Sequence, residues 1–166
     1  MSVVNVPEAI PEAAPVGFAP DGRDFSQSTR QARLKWVVVV SADLPAGRAA
    51  NAAICAAAPT VAAVPGLLGS EATDAEGTVH AALPWLGCSV LVADQAALRA
   101  IRAKAASRPD TFVADVPAAA QSTRVYSDFI TAVGKAQTED MDYCAVSIVG
   151  PLNRIDKIVG TLPLMP

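Results

Sequence analysis

The chain has 166 residues, with 13 Lys and Arg against 16 Asp and Glu, a formal net charge of −3. That acidic balance disfavours a nucleic-acid partner, and an aromatic content of 5% leaves few rings for base stacking. With 52% hydrophobic residues, a chain this long can bury roughly 70% of its unfolded surface without a staple.

Three scattered cysteines, no CxxC spacing and one histidine, His80, give neither a disulfide framework nor a zinc ligand set. No metal or other cofactor is expected. No apolar run approaches the ~18 residues of a membrane span. The N-terminus carries no positively charged signal region, so the expected compartment is the cytoplasm.

Residues 1–33 read as an extended or disordered arm. Pro7, Pro11, Pro15 and Pro20 recur there and are followed by the polar run DGRDFSQSTRQ. A single α/β domain is expected over 34–166. It opens on WVVVVSA, a continuous β-branched run of the kind that is buried on both faces of a sheet. After Asp43-Leu44-Pro45, Gly47 opens an alanine-rich helix, which Pro59 and then Pro65-Gly66 stop.

Asp74-Ala75-Glu76-Gly77 reads as a hairpin turn between EAT and TVHAAL. LGCSVLVA is a second buried strand. Asp94 caps a helix that runs to about Ser107, with Leu98, Ile101 and Ala105 inward. Arg99, Arg102 and Arg108 fall on its other side, as a solvated face or an anion-binding edge.

TFVADV is a third strand and PAAAQSTR an irregular connection. Tyr126, Phe129, Ile130 and Val133 then mark a short amphipathic helix. YCAVSIVG, a final helix over about 152–159, and LPL close the chain. The expected architecture is a three-layer α/β/α sandwich on a mixed sheet of about four strands.

Two segments carry a family resemblance. Lys35-Trp36-Val37-Val38-Val39-Val40, Asp43-Leu44 and Gly47-Arg48 resemble the opening of type 2 peptidyl-tRNA hydrolases. Ile148-Val149-Gly150-Pro151, then residues 155–160, Leu162 and Leu164, resemble the close of the same enzymes. The hairpin at 74–77, the Ala-Gln-Ser-Thr stretch at 120–123 and the closing LPLM are similar to the uncharacterised "domain of unknown function 2000" proteins. The resemblance implies the hydrolase-like fold and a homodimer.

It does not carry the hydrolase site over whole. Arg48 stands where those enzymes have Lys, and Cys55 stands where they have His. Asp115 matches their acid, but no Gly-Arg-Thr follows it, and Thr123-Arg124 is displaced. An Arg cannot act as a general base in that place.

Ligands of open α/β sheets bind beyond the carboxyl ends of strands. The turn into the first helix offers free N–H groups, Gly47 for close approach and Arg48 for an anion, with Asp43 orienting Arg48 and Asn51 one turn on. Asp115 and Thr123 stand across that crevice as the catalytic pair if the protein is an enzyme, and Arg124 adds a second cation. Cys55, Cys88 and Cys144 read as core, and His80 as hairpin surface.

The expected function is binding of, or catalysis on, a small anionic ligand at the corner between Asp43 and Arg48. The alternatives are a non-catalytic dimeric interaction module and a peptidyl-tRNA hydrolase-like ester hydrolase.

Overall fold

Val37, Val38, Val39 and Val40 are fully buried, which requires helices on both faces of their strand. The structure, a computed structural model, describes residues 16–166. Strand β1 (Leu34–Ser41) sends Val38 and Val40 toward helix α1 (Ala46–Ala63). Val37 and Val39 face the other way, toward α2 (Gln95–Ala106) and α5 (Leu152–Val159). Ala49, Ala52 and Ala56 form the buried stripe of α1, and their small side chains let that helix lie close on the sheet.

The remaining strands are the hairpin pair β2 (Ala72–Thr73) and β3 (Val79–His80), then β4 (Ser89–Ala93), β5 (Phe112–Pro117) and β6 (Tyr143–Pro151). The main sheet is mixed, in the order β4-β1-β6-β5, with β1 parallel to β4 and β6 antiparallel to both its neighbours. Strands β1, β4 and β5 therefore end at the edge where β6 begins. Gln95 fastens that edge. Its amide nitrogen donates to Ser41 Oγ at 3.0 Å and to the Tyr143 carbonyl at 2.9 Å, and its oxygen accepts from Tyr143 N at 3.0 Å.

Several expectations hold. Asp94 caps α2 by accepting from Ala97 N at 2.8 Å, and Leu98, Ile101 and Ala105 are buried. The turn at 74–77 joins β2 to β3, with Gly77 at φ 86°. The closing segment lies along the outer edge of β4, where Met165 N donates to Val90 O at 2.9 Å and covers an otherwise open strand.

Two expectations change. Pro59 does not end α1, which continues to Ala63. A helical proline frees the carbonyl four residues back, here that of Cys55, and both residues are exposed, so water can satisfy it.

The arm reading also fails from residue 16 on; residues 1–15 lie outside the described residues. Phe18 is only 4% exposed, its N–H donates to Pro65 O at 2.8 Å, and its ring meets Trp85 at 5.0 Å. Phe25 also meets Trp85, edge-on at 5.6 Å, and Arg23 donates to Leu68 O at 3.2 Å. Arg33 lies over the Phe18 ring and donates to the Gly17 carbonyl. Gly66 makes this seat usable: at φ 75°, a Cβ there would stand 2.8 Å from Phe18 Cβ. The prolines masked a pair of aromatic anchors.

One polar chain crosses the core beneath α1. Trp36 Nε1 donates to Ser147 Oγ at 2.9 Å, Ser147 and Thr60 hydroxyls meet at 2.8 Å, and Thr60 Oγ1 donates to Ala56 O at 2.8 Å. Because the Thr60 proton is committed to Ala56, Ser147 must be the donor to Thr60. The protons then run one way, from indole to serine to threonine to carbonyl.

Candidate functional site

The corner between β1 and α1 is open. Asp43, Gly47, Arg48 and Asn51 are all exposed, and a Cβ on Gly47 would meet nothing within 4 Å. Arg48 does not pair with Asp43. Its Nε donates to Gln121 Oε1 at 2.8 Å, and the Gln121 amide nitrogen returns to Arg48 O at 2.9 Å and Asn51 Oδ1 at 3.2 Å. Gln121 sits on α3 (Ala119–Ser122), a single turn that follows β5 at the shared sheet edge.

Asp115 does not face this crevice. Strand alternation sends Phe112 and Val116 toward α1 and Val113 to the opposite face. Asp115 goes with Val113, and its Oδ2 accepts from Arg102 Nε at 2.9 Å. That bond raises the Arg102 pKa, so α2 holds the carboxylate as a fixed ion pair. Thr123 is half-buried, and its hydroxyl donates to Ala119 O at 2.9 Å, closing the turn instead of pointing at a substrate. Asp115 and Thr123 both border a cleft beside Arg124, but the carboxylate is paired with Arg102 and the hydroxyl with Ala119 O, so neither polar group is directed at Arg48. The phase of the alternation sets which face an edge-strand acid takes, and the sequence spacing left that phase open.

The concavity lies further along α1. A cleft of about 560 Å³ opens between α1, β5, α3 and α4 (Tyr126–Lys135), with Cys55, Pro59, Thr123, Arg124, Tyr126 and Phe129 on its walls. The Tyr126 and Phe129 rings meet at a tilt, 5.6 Å between centroids. Arg124 is exposed and makes no ion pair among the described residues. Corner and cleft are connected: at about 100° per residue, Arg48, Asn51, Cys55 and Pro59 share one stripe of α1, roughly a quarter-turn from its buried alanines. Cys55 Sγ lies 4.0 Å from Asn51 Oδ1 along that stripe.

This helical spacing was the available signal for Cys55, which is exposed instead of core. Nothing local marked Gln121 as the partner of a side chain 73 positions away.

The model of a family described as "Protein of unknown function (DUF2000)" matches residues 34–166. The chain belongs to the DUF2000 family. No curated protein matches its sequence. Among solved structures, the fold is similar to a protein of unknown function from Agrobacterium tumefaciens strain C58. That likeness has a TM-score of 0.74 at 19% identity, over 81% of this chain and 98% of the other. At that identity the likeness concerns the fold alone.

Elsewhere in this DUF2000 chain, Cys144 is buried as expected. Cys88 is exposed instead of core, because it stands just before β4, the outer strand of the sheet, and the atoms packed around its thiol push it up to about 12. His80 is exposed on the hairpin, 3.4 Å from Asp74 Oδ2. Among the described residues no cluster of His, Cys, Asp and Glu can hold a metal, and no helix is long and apolar enough to cross a membrane.

Proposed function

We propose that this protein binds a small organic anion with an apolar body in the cleft between α1 and α4. The carrying observation is the pairing of an aromatic wall, Tyr126 and Phe129, with an unpaired cation, Arg124, in a cleft of about 560 Å³. Ligand sites commonly have roughly 300–1,000 Å³ of apolar lining with a few polar groups that fix orientation. Arg48, further along the same stripe of α1 and held by Gln121 through its Nε, keeps its two terminal nitrogens for a second anionic group or a water.

Calorimetric titration with benzoate, phenyl phosphate, acetate and inorganic phosphate at fixed low salt tests the reading. The aromatic acids should bind more tightly than acetate or phosphate. Arg124→Ala should weaken them by about tenfold or more, the scale of one charge-assisted hydrogen bond. Arg124→Lys should recover part of the loss, since an ammonium cannot reproduce the planar fork. Absence of binding, or equal binding by wild type and Arg124→Ala, would remove the proposal.

Exposed apolar side chains on the cleft also favour self-association: Tyr126 is 76% exposed and Val125 54%. A dimer by light scattering that Tyr126→Glu converts to monomer would assign the cleft to an interface between copies.

Ester hydrolysis of the kind implied by the hydrolase resemblance is not part of the proposal. Arg48 cannot serve as a base, and the Asp115 carboxylate is tied to Arg102. Incubation with a peptidyl-tRNA should give no turnover above the uncatalysed rate. Turnover that Asp115→Asn abolishes would contradict this.

A further inference from the structure

A second concavity, of about 320 Å³, lies at the opposite end of the sheet from the cleft, between the C-terminal end of α2 and the face of α5. Its walls carry four cations: Lys104 and Arg108 from α2 and the segment after it, Arg154 and Lys157 from α5. The chain as a whole is acidic, with net charge −3, so these side chains are strongly segregated.

The neighbouring acid is Asp110, whose Oδ2 accepts from Arg154 Nε at 2.8 Å. Lys104 Nζ donates to the Lys157 carbonyl at 2.9 Å, tying the two helices so that their cations line one wall. Arg108 and Lys157 have no acidic partner among the described residues.

The ordinary reason for such cations does not cover the set. Lysine and arginine near a helix C-terminus complement the macrodipole, which accounts for Lys104, Arg108 and Lys157. Arg154 sits in the first turn of α5, where a cation is unfavourable to the helix, and its acidic partner is Asp110. Of the four cations that border the concavity only Arg154 has an acidic partner among the described residues, so Lys104, Arg108 and Lys157 repel one another there, and an anion between them relieves that repulsion. Guanidinium and ammonium groups together match phosphoryl oxygens, and a singly charged ion would leave most of the excess charge uncompensated.

We propose that this concavity binds a small polyphosphate, two or three linked phosphoryl groups, either free or as the tail of a nucleotide. Of the arginines on α2 and just beyond it, Arg99 and Arg102 are spent on Asp142 and Asp115, and Arg108 is the one left for this site. The inference is independent of the cleft near α4.

The test is titration of the full chain with inorganic phosphate, pyrophosphate, tripolyphosphate, ATP and a single-stranded RNA oligonucleotide at constant ionic strength, followed by backbone amide shifts and thermal shift. Pyrophosphate and tripolyphosphate should perturb the amides of 153–158 and raise the melting temperature more than phosphate does. ATP binding as tightly as tripolyphosphate would identify a nucleotide tail as the source; tighter binding of tripolyphosphate would identify the free form. The double variant Arg108→Ala, Lys157→Ala, which leaves the core side of both helices intact, should raise the pyrophosphate Kd at least about tenfold. Arg124→Ala should leave it unchanged. No pyrophosphate binding, an unchanged Kd in the double variant, or binding of RNA alone would overturn the proposal.

Discussion

Phe18→Ala is expected to lower the stability of the full chain by about 3–5 kcal/mol, the range for deleting a buried aromatic ring. At roughly 2–4 °C per kcal/mol for a protein of this size, the melting temperature should fall by about 6–20 °C. The ring is 4% exposed, packed at a tilt against Trp85 and covered by Arg33, so its loss opens a cavity beside Trp85. Gly66→Ala should act in the same direction, because a left-handed φ and a 2.8 Å approach to Phe18 both oppose a side chain. Differential scanning calorimetry of wild type and variants decides. A Phe18→Ala protein melting within about 2 °C of wild type would show that residues 16–33 are not part of the folded unit.

Ser147→Ala should cost about 2–4 kcal/mol, more than its volume suggests. The serine is the middle of a buried relay, and its removal strands the Trp36 indole N–H, at about 1–3 kcal/mol for a buried unsatisfied donor, besides removing the bond to Thr60. The proton direction makes a sharper claim. Trp36→Phe removes the donor that Ser147 satisfies, so Ser147→Ala should cost clearly less in that background. Urea unfolding of the four proteins of this cycle gives the coupling. Additive effects, or a Ser147→Ala cost under about 0.5 kcal/mol, would contradict a satisfied relay.

The strands and helices were legible because their patterns are strong and local. A run of valines has no amphipathic alternative, and Asp94 before an inward Leu98, Ile101 and Ala105 marks its own helix start. The packing of residues 16–33 was not legible, because proline counts report the backbone, whereas Phe18 is held by Trp85, far along the chain.

Part of the site was visible and part was not. Arg48, Asn51 and Arg124 were singled out by charge and position, but the Asp115 carboxylate, expected across the crevice, turns to Arg102. A residue on an edge strand is placed by a one-residue phase that spacing alone leaves open. Cys55 could have been found from its helical phase with Arg48 and Asn51. Gln121 could not, since only the folded sheet edge brings α3 over α1.

The most direct measurement is an amide-shift titration of the 15N-labelled full chain with benzoate and with phenyl phosphate, mapped residue by residue. The cleft reading predicts the largest saturable shifts at Cys55, Thr123, Arg124, Tyr126 and Phe129, absent in Arg124→Ala. Shifts confined to Asp43 and Gly47 at the strand–helix corner, or no saturable shift at all, would contradict it.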